Sequence, residues 1–190
     1  MTKITSTGYW VNPTLNYHAH SPKLAKWISE FLENEKDIPV IDMGCGLGDY
    51  LVHLQNKGFK TLLGIEGEKS NKVNFKNIIN QDLTVPFDLT KEYKGNVISL
   101  EVGEHIPKQY QKQYLDNLDR HCNNFLIMSW AIKNQPGLGH VNCMDNDEII
   151  PIIENMGYNY LPVHSSDARI NSDDFTPWFK NTILIFKKNN

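Results

Sequence analysis

Cysteine is scarce in this chain. Cys45, Cys122 and Cys143 are an odd and scattered set in 190 residues, which fits reduced thiols better than a disulfide framework. Long apolar runs are missing too: none reaches the roughly 18 residues that cross a bilayer, and the opening MTKITSTGYW does not have the form of a secretory signal. Nor is there an excess of positive charge. Nineteen Lys and Arg against 22 Asp and Glu give a net charge of −3, so no overall basic field holds nucleic acid, and no basic tract stands in for one. Internal repeats and low-complexity tracts are absent as well.

What is present reads as one alternating α/β unit. The length, with 40% hydrophobic and 11% aromatic residues, suits a single domain over 1–190 that buries roughly 70% of its unfolded surface. Residues 1–20 are polar and aromatic, with Tyr9, Trp10, Tyr17, His18 and His20, and read as a leading lid-like segment ahead of a core over 21–190. Ser21 and Pro22 mark a helix start, and Leu24, Trp27, Ile28, Phe31 and Leu32 follow at helical spacing. Strands are expected at Val40–Ile41 and near 61–65, 76–80 and 96–101, with a fifth in NNFLIMSW. Helices are expected near 49–57, from Pro107 to about His121 and from Asp145 to Met156, with a short one near 69–74. Two closing strands, Tyr158–Val163 and Trp178–Lys187, are expected to be joined by a loop.

The stretch VIDMGCGLGDY carries the most chemistry. A buried strand ends at Asp42 and breaks into Gly44, Cys45, Gly46 and Gly48 before a helix; strand, glycine turn and helix N-terminus together form a nucleotide crevice. The spacing is G-x-G-x-G, and Asp49 stands at the helix start. Both features disfavour a pyrophosphate, whereas a ligand with a sulfonium or α-ammonium centre suits Asp42 and Asp49. Glu66, followed by Gly67, ends the second strand, where a carboxylate accepts hydrogen bonds from a ribose diol. The third run leads into Asp82 and Leu83, and the fourth into Glu101, Val102, Glu104 and His105 in E-x-x-E-H-I-P.

In these motifs, over about residues 38 to 160, the chain resembles the class I S-adenosylmethionine-dependent methyltransferases. The resemblance implies a Rossmann-like, doubly wound and mostly parallel seven-stranded sheet of order 3-2-1-4-5-7-6, with an antiparallel last hairpin. It implies S-adenosyl-L-methionine as cofactor and S-adenosyl-L-homocysteine as product. Asp82 and Leu83 would hold adenine through a carboxylate and a backbone N–H, and Asp42, Gly44, Cys45, Gly46, Gly48, Glu66, Gly67, Glu101 and Val102 complete the cofactor set. A nicotinamide-dependent oxidoreductase and a catalytically inactive methyltransferase-like interaction protein are the alternatives.

Transfer to a hydroxyl needs a base, and histidine suits neutral pH. His140, in the loop after the fifth strand, is the preferred base, with His105 and Glu104 shaping the pocket; His18 or His20 could reach the site from the leading segment instead. No metal is assigned. His140 and Cys143 stand as H-x-x-C, and Glu101, Glu104 and His105 cluster, yet no C-x-x-C or H-E-x-x-H completes a ligand set. Magnesium stays open, because some methyltransferases of the resembled kind use it to hold a diol, with Asp145 or Asp173 and Asp174 as candidate carboxylates. No N-P-P-Y-like tetrapeptide points to an amide or amine acceptor. A small-molecule acceptor is expected, a sugar or glycan first, received by a rim of Trp130, Asn134, Gln135, His140, Asn142 and Trp178. Nucleic acid and membrane partners are not expected, and the sequence leaves the oligomeric state open.

Overall fold

The structure, a computed structural model, describes residues 3–11, 20–68 and 73–189. Tyr17 and His18, and most of the short helix expected near 69–74, lie outside the described residues. A two-residue antiparallel ribbon, Lys3–Ile4 with Trp10–Val11, comes first. Helix α1, Pro22–Phe31, follows, and the Ser21 side chain accepts a hydrogen bond from the Leu24 N–H at its start, as a capping serine before a first-turn proline does.

Seven strands form the main sheet: β1 Val40–Met43, β2 Leu62–Glu66, β3 Ile78–Asn80, β4 Gly95–Ser99, β5 Cys122–Ser129, β6 Tyr158–Tyr160 and β7 Ile183–Lys188. Their spatial order is β3-β2-β1-β4-β5-β7-β6, the expected 3-2-1-4-5-7-6. The first five run parallel, and β7 is antiparallel to both β5 and β6. Every residue of β1 is buried, as a central strand covered on both faces requires. Alternation divides the strands between two cores. Ile41, Met43, Leu63, Ile65 and Leu126 pack on one face with Tyr114, Leu118, Ile149 and Ile153, which belong to α3, Gln111–His121, and α4, Asn146–Asn155. Val40, Leu62, Ile98, Ile127 and Ile185 pack on the other with Leu24, Ile28, Leu51 and Leu54, from α1 and from α2, Asp49–Asn56.

The closing region differs from expectation. Strand β6 stops at Tyr160, because Pro162 opens α5, Pro162–Ile170. Trp178 is not in a strand: helical-turn hydrogen bonds run from Phe179 N to Thr176 O and from Asn181 N to Trp178 O, leading into the short α6, Phe179–Thr182, before β7 begins. The connection is therefore helical, and only the antiparallel hairpin partners stand as read.

Candidate active site

Parallel strands deliver their carboxyl ends to one edge, and a cavity of about 380 Å³ opens there, within the usual range for small-molecule sites of roughly 300–1,000 Å³. At one end lies the glycine turn. Gly44 N and Cys45 N both donate to Ile65 O, at 2.8 and 3.1 Å, and Gly48 N donates to Cys45 O at 2.9 Å. Gly44 has φ +85°, and a Cβ there would lie 2.4 Å from Val102 Cγ2, so the turn needs glycine for its backbone and for the close approach of the β4 loop. Across it, Glu66 accepts the Gly46 N–H on Oε2 at 2.8 Å and the Glu68 N–H on Oε1 at 3.1 Å. Asp82 uses Oδ1 for Thr84, accepting its N–H at 2.8 Å and its hydroxyl at 2.7 Å, which makes a tight turn beside Leu83.

Asp42 stands at the base of this end. It is 3% exposed and its Oδ2 has no hydrogen-bond partner. Burial, then the neighbouring Glu66 carboxylate, pushes its pKa up to about 8. A cationic ligand group there would reverse both penalties.

The other end is built on the loops after β4 and β5. Glu101 has φ +55° and is held by three donors: Ser129 Oγ at 2.8 Å, Thr182 Oγ1 at 3.2 Å and Gln135 Nε2 at 2.9 Å. Burial raises its pKa, while the hydrogen bonds from Ser129, Gln135 and Thr182 each pull it down. Glu104 is fully buried, and neither carboxyl oxygen has a well-formed hydrogen bond; burial first, then Glu101, holds its pKa well above the carboxylate range, against weaker contacts from its own and the Ala131 backbone. His140 Nδ1 faces Gln135 O at 3.1 Å, and its Nε2 lies 4.0 Å from Glu104 Oε1. With the Nδ1 proton given to that carbonyl, Nε2 carries the lone pair. Burial lowers the His140 pKa. It also lowers that of His105, to about 4, with His140 adding to the effect. The two rings meet edge to face, centroids 5.0 Å apart.

Residues of the leading segment close over the mouth. Gly8 lies against the His105 carbonyl, Tyr9 against Gly67 and Ile4 against Gly139, while the Trp10 ring meets His105 edge to face at 5.3 Å. His20 packs on Tyr50 at the same opening, with a centroid distance of 4.8 Å.

Of the residues expected to serve the cofactor, Asp42, Gly44, Cys45, Gly46, Glu66, Gly67, Asp82, Leu83, Glu101 and Val102 line the cavity. Gly48 does not; at φ +82° it turns the chain into α2 instead. His105 and His140 are on the wall, and Glu104 lies behind it. The expected sugar rim is mostly elsewhere. Trp130 is a fully buried core residue donating to Asn142 O at 2.6 Å, and Asn142 is itself buried. Asn134 is exposed at a turn with φ +67°. Only Gln135, His140 and Trp178 of that set face the cavity. The carboxylates offered to magnesium have other work. Asp145 and Glu148 form the capping box of α4. Asp173 accepts from Ser21 Oγ at 2.8 Å and Lys23 N at 2.9 Å, and Asp174 pairs with Lys180. Tyr50, Leu100, Ile106 and Phe179 also line the cavity; apolar and aromatic residues inside helices and strand ends carry no sequence signal that separates them from core.

A family described as a methyltransferase domain matches residues 16–163. No curated protein matches the chain. Among solved structures, the magnesium protoporphyrin IX methyltransferase of Synechocystis PCC 6803 with bound S-adenosylhomocysteine is similar, at 18% identity and TM-score 0.62, over 87% of this chain and 82% of that one. A sugar N-methyltransferase from a Streptoalloteichus species aligns at 12% identity and TM-score 0.63, over 89% and 88% of the two chains. A small RNA methyltransferase aligns at 14% identity and TM-score 0.62, over 87% of this chain and 25% of that one. These likenesses confirm the fold; the family match carries the activity, in place of an oxidoreductase. The chain belongs to the methyltransferase-domain family and is a class I enzyme that uses S-adenosyl-L-methionine as its methyl donor.

Proposed function

We propose that this enzyme methylates a hydroxyl of a small molecule, with sugars or glycans as the first acceptor class. The observation that carries the reading is the His140 side chain: Nδ1 is engaged by Gln135 O, so the lone pair on Nε2 is available at the acceptor end. In the transfer, the acceptor oxygen forms a bond to the methyl carbon as the sulfur–methyl bond breaks and its electron pair returns to sulfur. The hydroxyl proton passes to His140 Nε2. His105 and Glu104 shape the surroundings of that ring. Trp178, whose buried Nε1 has no partner, and Gln135 supply a ring edge and an amide that suit a pyranose.

The cofactor would lie with its ribose on Glu66, whose four lone-pair sites are half used, its adenine by Asp82 and Leu83, and its cationic end toward Asp42. The described part of the leading segment, residues 3–11, acts as a lid on the core in a single domain. The net charge of −3 favours a small acceptor over nucleic acid. Three unbridged thiols suit the reducing cytoplasm.

Calorimetry with S-adenosylhomocysteine and a turnover screen over monosaccharides and their glycosides test the reading together. His140→Ala should leave S-adenosylhomocysteine binding unchanged and slow transfer by about 100-fold to 10,000-fold. Undiminished turnover in that variant removes His140 as the base, and turnover confined to amine acceptors removes the hydroxyl assignment.

A further inference from the structure

We propose that Glu104, His105 and His140 together bind one divalent transition-metal cation at the acceptor end of the cavity. Glu104 and His105 are neighbours in the turn after β4, and His140 comes from the loop after β5, 35 residues on; one potential ligand atom from each lies within 4.8 Å of the others. Buried polar atoms ordinarily find hydrogen-bond partners. Here both Glu104 carboxyl oxygens and His105 Nδ1 are buried without a well-formed hydrogen bond, with only weaker polar contacts to the Glu101 carboxyl and the Ala131 backbone for Glu104 and to the Gly139 backbone for His105, and His140 Nε2 faces Glu104 Oε1 at 4.0 Å. A trio of poorly satisfied side chains whose ligand atoms cluster is what a cation would complete.

The arrangement around His140 agrees. A ligating imidazole commonly gives its second ring N–H to a backbone carbonyl, which fixes the tautomer and the ring plane, and His140 Nδ1 has Gln135 O for that purpose at 3.1 Å. Two nitrogens and one carboxylate oxygen select a borderline ion such as Mn²⁺, Fe²⁺, Co²⁺ or Zn²⁺ over a hard ion that prefers all-oxygen ligands. Ligand atoms each about 2.1 Å from one ion sit roughly 3 to 3.5 Å apart, so binding draws these side chains inward by about an ångström. The second acidic group among the described residues, Asp145, Asp147 and Glu148, has no such need: it is solvent-facing, capped onto α4 and paired with Lys133.

His105 and His140 line the cavity, so the ion's remaining positions open toward the acceptor. There it would lower the pKa of a bound hydroxyl. That role rests on the hydroxyl-transfer reading above, although cation binding itself does not. In the loaded enzyme the His140 lone pair is a ligand, so the acidified hydroxyl would release its proton to water, and proton uptake by that ring belongs to the cation-free site.

Titration of the full chain with Co²⁺, followed by its visible d–d absorption, and with Mn²⁺ by calorimetry reads the site without turnover. One equivalent should bind. Glu104→Gln, nearly isosteric, and His105→Ala should each weaken binding at least tenfold while circular dichroism and S-adenosylhomocysteine affinity stay at parent values. Glu148→Gln, in the other acidic group, should bind as the parent does. Absence of a Co²⁺ band up to millimolar metal, or a band that survives both Glu104→Gln and His105→Ala, overturns the proposal. If no cation binds yet His140→Ala slows transfer, the metal site falls and the hydroxyl-transfer reading stands. If a cation binds with these variant effects but only amines are methylated, the site stands and that reading falls.

Discussion

Asp42 sets the clearest residue-scale expectation. Its folded pKa of about 8 lies above the ordinary carboxylate value near 3.9, so the native state binds more protons than the unfolded chain between about pH 4 and 8. Its contribution to stability therefore falls as pH rises through that window. Asp42→Asn should make the cofactor-free protein more stable than the parent at pH 9, by about a few kcal/mol at most, with the gap closing toward pH 5; thermal melts at the two pH values check it. The same variant should bind S-adenosylmethionine more weakly, since an ionised partner for its cationic end is gone. Gly46→Val should abolish cofactor binding in calorimetry, because Gly46 sits at φ +54° with its N–H on Glu66, a conformation closed to a β-branched residue. Gly137→Ala should slow turnover: a Cβ there would lie 2.0 Å from His140 Nε2. Residues of the glycine turn and Glu66 were legible in sequence because they stand at the end of a strand and their types are dictated by backbone conformation or by charge, whereas Asp82 was named only through family resemblance. Glu104 was legible as part of the site but not as a residue behind its wall, since depth is a property of packing. Trp130 misled for the same reason: an indole suits a sugar and a core equally well until its neighbours are known.

Among elements, α1 and the leading ribbon hold the mouth. Ser21 caps α1 and also bonds to Asp173, with Oγ donating at 2.8 Å and accepting from Asp173 N at 3.1 Å, so one side chain ties the helix start to the segment that carries Trp178. Ser21→Ala should cost about 1–3 kcal/mol, visible in urea unfolding. Trp10→Ala removes the ring packed on His105 and loosens the cover; it should raise KM for the acceptor more than it lowers kcat, which steady-state kinetics resolve. Helix boundaries near Pro22 and Asp145 were readable because capping chemistry is local. The last two strands were misplaced because Tyr158–Val163 and Trp178–Ile183 are apolar at a spacing that a strand or a short helix can use. Pro162 was the available signal.

At the scale of the molecule, the strand order followed from family resemblance, whereas alternation gave only a doubly wound sheet. Bringing His140 beside Glu104 and His105 required the β4 and β5 ends to be neighbours, a relation that ligand spacing along the chain does not encode. No contiguous metal motif in the sequence therefore marks this cluster. Strand β7 pairs with β5 on one side and β6 on the other, although it is the last of the seven in the chain. On the ribosome, β6 therefore waits without a neighbour, and the rim of β5 stays open, until β7 has been made and has left the exit tunnel. A chain interrupted shortly before Ile183 would hold five of the seven strands as a paired sheet and leave the rim of β5 as an adhesive border.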